Sequence, residues 1–167
     1  DDHQSIALLV QANGDEGAAA SIPAFEGLKA EYDSQGIEFM MINPLGKGNR
    51  EAVQAQVLRY GVETPVLMDD TRLISEALGI AHIGEVLLFD PKSFTVEYRG
   101  AIAGVESAIK DILAGNDVIT AEVAVMGTVV SYATTEVPSY TADIAPVLAE
   151  QCASCHREGG VAPFAMD

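Results

Sequence analysis

No apolar run in this chain approaches the roughly 20 residues that a bilayer-spanning helix needs. Basic side chains are also scarce: nine Lys and Arg stand against 25 Asp and Glu, a formal charge of −16 over 167 residues. A surface of that sign repels phosphate backbones and anionic lipid, so neither nucleic acid nor a membrane surface is expected as a partner. It attracts instead a redox partner with a basic docking face, at a rate that falls as salt rises. The same charge also serves plain solubility. The opening Asp1-Asp2-His3-Gln4 lacks an initiating Met and a signal-type apolar segment. A mature periplasmic or otherwise exported protein looks like this once its signal has been removed. Internal repeats, low-complexity tracts and His-rich or Met-rich copper motifs are missing, so bound copper is not expected. Thiols are absent everywhere but one place, Cys152 and Cys155, with His156 directly behind them.

What is present is ordinary globular material, 49% apolar and 20% charged, in a chain long enough to bury a core without disulfides. Ser5 to Val10 and Ile37 to Ile42 are short apolar runs that read as buried strands. Between them Asn13 to Gly17 is loop chemistry. Ala18 to Ser34 then carries Ile22, Phe25, Leu28 and Tyr32 at helical spacing. Helices are expected at 50–60, 71–78 and 105–114, a short strand at 65–68, and a hairpin from Glu85–Phe89 and Thr95–Arg99 around Asp90-Pro91-Lys92-Ser93. The order β-α-β-α-β-α-β-β-α predicts an α/β fold, a thioredoxin-like mixed sheet with flanking helices, filling residues 1–116. Residues 117–139, rich in Val, Thr and Ala, are expected to connect as an extended segment crossing back over that domain. Residues 140–167 begin with a helix, Tyr140 to Gln151, capped by Thr141 or Asp143; Pro146 is tolerable there only in the first turn. Met40, Met41, Met68 and Met126 are expected in the core, and His82 on a loop or surface.

Cys152-Ala153-Ser154-Cys155-His156 has the spacing of covalent haem c attachment. Two thiols add across the porphyrin vinyl groups, and the adjacent imidazole reaches the iron as proximal ligand. Gly159 and Gly160 would let the backbone turn tightly beside the porphyrin, with Pro163 and Phe164 on its edge or in an ordinary core. Met166 is the one downstream candidate for the distal ligand, over a span to His156 that is sterically unfavourable. Three other readings compete. A redox dithiol belongs at the N-terminal end of a helix, where the dipole lowers the thiol pKa; this pair follows a helix. Zinc wants four ligands, and His3 and His82 lie far off in sequence. A disulfide between thiols so close is strained and reactive.

The run Tyr140-Thr141-Ala142-Asp143-Ile144-Ala145-Pro146-Val147-Leu148, the haem motif, and Arg157-Glu158-Gly159-Gly160-Val161-Ala162-Pro163-Phe164 together resemble a bacterial family of exported redoxin–cytochrome fusions. Pro65 to Asp69, Glu85 to Pro91 and Tyr98 to Ile102 are similar to its redoxin half. The resemblance implies a thioredoxin-like, peroxiredoxin-type domain joined to a c-type haem segment, followed in some members by a copper-dependent monooxygenase. It also implies that residues 140–167 are an incomplete haem segment, because the family continues into a Met-Pro-Pro element.

The departures from that family concern its redoxin chemistry. Its cysteine after the first strand is replaced within Asn13 to Ala18, its active-site proline by Ile83-Gly84, and a linker cysteine near Gly127-Thr128. With no thiolate there, disulfide exchange and peroxide reduction lack a nucleophile. The expectation is a periplasmic electron-transfer protein carrying haem c on a catalytically inactive thioredoxin-like scaffold. The alternatives are a thiol-disulfide oxidoreductase or peroxidase using Cys152 and Cys155, or a non-catalytic subunit of a larger redox complex.

Overall fold

The computed structural model describes residues 3–45, 50–119, 122–132 and 138–165. The chain divides into two compact units, 1–132 and 133–167. Residues 122–132 thus belong to the first unit, although the sequence placed them in a connecting segment.

In the first unit, β1 (Ser5–Val10), β2 (Ile37–Asn43), β3 (Val66–Met68), β4 (Val86–Asp90) and β5 (Thr95–Gly100) form one sheet ordered β3-β2-β1-β4-β5. Strands β1, β2 and β3 run parallel, with Ala7 opposite Phe39 and Ile42 opposite Leu67; β4 is antiparallel to β1 and β5 to β4. The central strands are apolar on consecutive residues because both faces are covered. Ala7, Leu9, Phe39, Met41 and Leu88 point into one core with Ile22, Phe25 and Tyr32 of α1 (Glu16–Tyr32) and Val105, Ile109 and Ile112 of α4 (Val105–Leu113). Leu8, Val10, Ile42 and Leu87 point the other way, into a second core with Ala18, Ile80, Ile83 and Val130. Helices α2 (Arg50–Tyr60) and α3 (Leu73–Ala77) complete the thioredoxin-like architecture expected from the sequence.

Several boundaries differ from expectation. Helix α1 starts two residues before Ala18, because the Asp15 carboxylate accepts the Ala18 backbone N–H at 2.9 Å and caps it; that capping outweighs the loop character of Gly14 and Gly17. Helix α3 is shorter than 71–78, since the buried Asp69 carboxylate takes the Ser75 N–H and hydroxyl, both at 2.7 Å, and fixes its start. Met41 is buried and Met40 and Met68 are half-buried, but Met126 is fully exposed. Its neighbour Gly127 approaches the Ile83 carbonyl so closely that the segment presses main chain, not the Met126 side chain, onto the domain.

The second unit contains a continuous helical segment. The wide turns Tyr140–Ile144 and Leu148–Cys152, closed by i→i−5 bonds such as Ala145 N–H to the Tyr140 carbonyl, flank α5 (Ala145–Val147). Pro146 has no N–H for an i→i−4 bond and its ring displaces the carbonyl one turn back. The wider turn before it relieves that conflict, so Pro146 lies beyond the first turn. The N-cap is Ser139, whose Oγ accepts from Ala142 N–H at 2.9 Å while its own N–H reaches Asp143 Oδ2 at 2.7 Å. Asp143 therefore shares in the cap, and Thr141 is inside the helix. Among the described residues no helix is long and apolar enough to cross a membrane.

Candidate functional site

The haem-type motif begins where the second unit's helix ends. Both Cys155 N–H and His156 N–H fold back to the Cys152 carbonyl, at 3.2 and 2.9 Å, so the chain turns about the first cysteine. The return leg is pinned by Gly160 N–H to the Arg157 carbonyl at 2.9 Å and Ala162 N–H to the Cys155 carbonyl at 3.2 Å. A side chain at Gly160 would overlap the Cys155 carbonyl oxygen, so this crossing requires glycine; Gly159 beside it takes φ +71°. Both thiols are unbridged, Cys155 exposed and Cys152 half-buried.

His156 is held from two sides. Its Nδ1 lies 3.0 Å from the Phe164 carbonyl oxygen, and the two rings are in tilted contact, centroids 4.4 Å apart with planes inclined at 43°. A carbonyl only accepts, so Nδ1 is the donor in this contact, and in the neutral tautomer that makes it Nε2 is the nitrogen able to ligate. An imidazole oriented in this way, through a backbone carbonyl on its other nitrogen, is prepared as a metal ligand. Phe164 therefore packs on the imidazole; Met166 lies outside the described residues. Among the described residues no three His, Cys, Asp or Glu side chains converge to hold a metal ion. Two thiols and a pre-oriented imidazole fit a group that takes each donor at a different atom, which is the chemistry of haem c.

The other place to look is the N-terminal end of α1, where a thioredoxin-type dithiol would sit. Asp15 is there instead. Its carboxyl is held below the ordinary carboxylate value, first by Ala18 N–H and then by the Thr128 hydroxyl, which donates at 2.7 Å. Gly84 donates its N–H to the Val10 carbonyl at 2.7 Å, a bond that proline in this place could not make. Residues 122–132 run over this end of the domain. Ile83 N–H donates to the Thr128 carbonyl and Val130 N–H to the Ala81 carbonyl, both at 2.8 Å, with half-buried His82 paired antiparallel to Val129.

The loop that carries Ala81–Ile83 is set by an ion pair the sequence reading missed. Buried Glu85 accepts Arg99 Nη1 at 2.8 Å on one oxygen, and the N–H groups of Ala81 and His82 at 3.0 and 3.2 Å on the other. Arg99 also donates to the Leu78 and Gly79 carbonyls. A single acid heading the apolar run Val86-Leu87-Leu88, with one arginine across the expected hairpin, was the available signal.

No family model matches the chain, and no curated protein matches it in sequence. Solved structures do match in shape. A hypothetical protein from Sinorhizobium meliloti superposes with TM-score 0.69 at 22% identity, over 80% of this chain and 82% of its own. A candidate thiol:disulfide interchange protein, DsbE, from Chlorobium tepidum gives 0.59 at 15% identity, over 67% and 82%. A thioredoxin-like protein from Aeropyrum pernix gives 0.55 at 20% identity, over 66% and 79%. At these identities the likeness establishes the fold alone.

Proposed function

We propose that this chain is an exported electron-transfer protein whose haem c is anchored by Cys152 and Cys155 and ligated by His156, on a thioredoxin-like domain without redox chemistry of its own. The observation that carries the reading is the His156 Nδ1 contact with the Phe164 carbonyl, which occupies one ring nitrogen and leaves Nε2 as the one to ligate. When bound, haem supplies a one-electron iron couple. The chain's residues anchor it and orient the imidazole, and the surplus of carboxylates draws in a basic redox partner. The absence of any cysteine outside the motif removes the nucleophile from the α1 end.

The test is a pyridine haemochrome spectrum and an intact mass on chain exported from a host that attaches haem c. A c-type spectrum and a mass higher by one haem are expected, and both are lost in Cys152→Ser/Cys155→Ser. Colourless protein with two alkylatable thiols would end the reading.

The fold favours one second reading, a thiol-disulfide oxidoreductase working through Cys152 and Cys155, because a solved neighbour is described as an interchange protein of that kind. Insulin reduction by haem-free protein, abolished in Cys152→Ser, would support it over the first.

A further inference from the structure

We propose that the open half of the sheet's second face binds one free single-chain amphiphile, an alkyl or acyl chain with an uncharged, hydroxyl-bearing head. The tail lies along Ile6, Met40, Leu67, Ile74 and Phe89, and the head meets His3 and Lys92. This inference is independent of the haem reading.

Parallel strands are ordinarily covered on both faces. On this face Ala18, Ile80, Ile83 and Val130 join Val10 and Ile42 in the second core. Toward the start of β1 the wall is α3, which has only five residues, and a trough of about 420 Å³ stays open beside it. Its floor includes Leu8 and Leu87, 6% and 0% exposed, and its sides Leu67 and Ile74, 36% and 47% exposed. Among the described residues no charged side chain lines it. From β3 across β2 and β1 to β4 it spans about 14 Å, enough for a run of about ten carbons. At Ile6 and Met40 the trough meets a second recess, of about 500 Å³, where His3, Glu38 and Lys92 are gathered. An apolar cavity of this size with a few polar groups at one end has the form of a small-molecule site.

The polar end selects the head. His3 Nε2 lies 3.2 Å from Glu38 Oε2. A carboxylate only accepts, so Nε2 is the donor, and in the neutral tautomer that makes this contact Nδ1 is an acceptor. That Nδ1 is buried and has no hydrogen-bond partner among the described residues, a costly state that a ligand's O–H relieves. Lys92 brings a positive charge to the same recess, and it is offset by Glu38 and by Asp90, whose carboxylate takes the Lys92 N–H at 2.7 Å. The recess therefore favours neither charged head, and the overall charge of −16 disfavours a carboxylate further. A hydroxyl suits both neighbours, donating to Nδ1 and accepting from the ammonium.

The test is calorimetric titration of the full chain with monodecanoylglycerol, kept below the concentration at which it self-associates. Saturable uptake of one molecule per chain is expected. Decanoate and decyltrimethylammonium, with the same tail and a charged head, should each bind more weakly. Ile74→Glu puts a charge on a half-exposed side of the trough, where folding tolerates it, and should abolish uptake with the thermal midpoint unchanged. His3→Phe keeps a ring and deletes the acceptor, and should weaken monodecanoylglycerol about fivefold, the worth of one hydrogen bond. No saturable uptake, or full uptake by folded Ile74→Glu, would overturn the trough. Equal affinity for all three heads, or an unchanged affinity in His3→Phe, would overturn the choice of head. A dimer that Ile74→Glu dissociates, with no uptake of the probe, would make this face a contact between copies and end the proposal.

Discussion

The hydroxyl of Thr128 donates to the carboxylate of Asp15 at 2.7 Å across 113 residues of chain, and the same carboxylate caps the first helix. One acidic group thereby joins the start of α1 to the strand that crosses it. The folded state holds Asp15 below its ordinary value of 3.8, so it stabilises the fold fully above that pH and loses the contribution as pH falls through the folded value. Asp15→Asn should keep the cap at neutral pH and flatten the acid limb of stability. Asp15→Ala should cost about 1 kcal/mol at neutral pH. Urea denaturation at neutral pH and at about pH 3 reads both; an unchanged acid limb in Asp15→Asn would remove Asp15 from the account.

Arg99→Met strands the buried Glu85 carboxylate and leaves the Leu78 and Gly79 carbonyls without their donor. Breaking a buried pair costs about 3–5 kcal/mol; Arg99 is 26% exposed, so the lower end is expected. Glu85→Gln/Arg99→Met should recover part of the loss, because the stranded charge is gone. Equal destabilisation by single and double variants, measured by urea denaturation, would contradict this.

Gly160→Val places a Cβ on the Cys155 carbonyl and must open the turn that returns Phe164 to His156. On the proposed haem reading, covalent haem per chain, read at the Soret band, should fall severalfold, while the thermal midpoint of the sheet unit stays where it was. Full haem loading would show that the turn forms only after attachment.

The charge of −16 makes an ionic-strength prediction for any basic redox partner. Stopped-flow association should slow by roughly tenfold between about 0.01 M and 0.15 M salt, as the screening length contracts. A rate indifferent to salt would mean that the acidic surface serves solubility alone.

The sheet was legible because β1 and β4 carry apolar runs, β2 is broken only by Glu38 and β5 follows the turn Asp90 to Ser93, and the helix Arg50–Tyr60 falls where its spacing put it. Spacing alone marks Cys152, Cys155 and His156 as a candidate set, and the turn about the Cys152 carbonyl is what the structure adds to them. Phe164's hold on His156 was not, since a backbone carbonyl carries no residue-type signal. Thr141 and Asp143 read as caps; Ser139 did not, and its reciprocal bonds with Ala142 and Asp143 make it the N-cap. Asp15 had the right residue type for a cap, but Gly14 and Gly17 around it spoke for a loop. Met126 read as core from its side chain, whereas its place is governed by the close approach of Gly127.

The bonds that bring imidazole, thiols and return leg together all lie between Cys152 and Phe164. Such a stretch is portable. Spliced after the last turn of an unrelated helix, it should recreate the same hold of the Phe164 carbonyl on the His156 ring, because nothing outside the piece contributes to it.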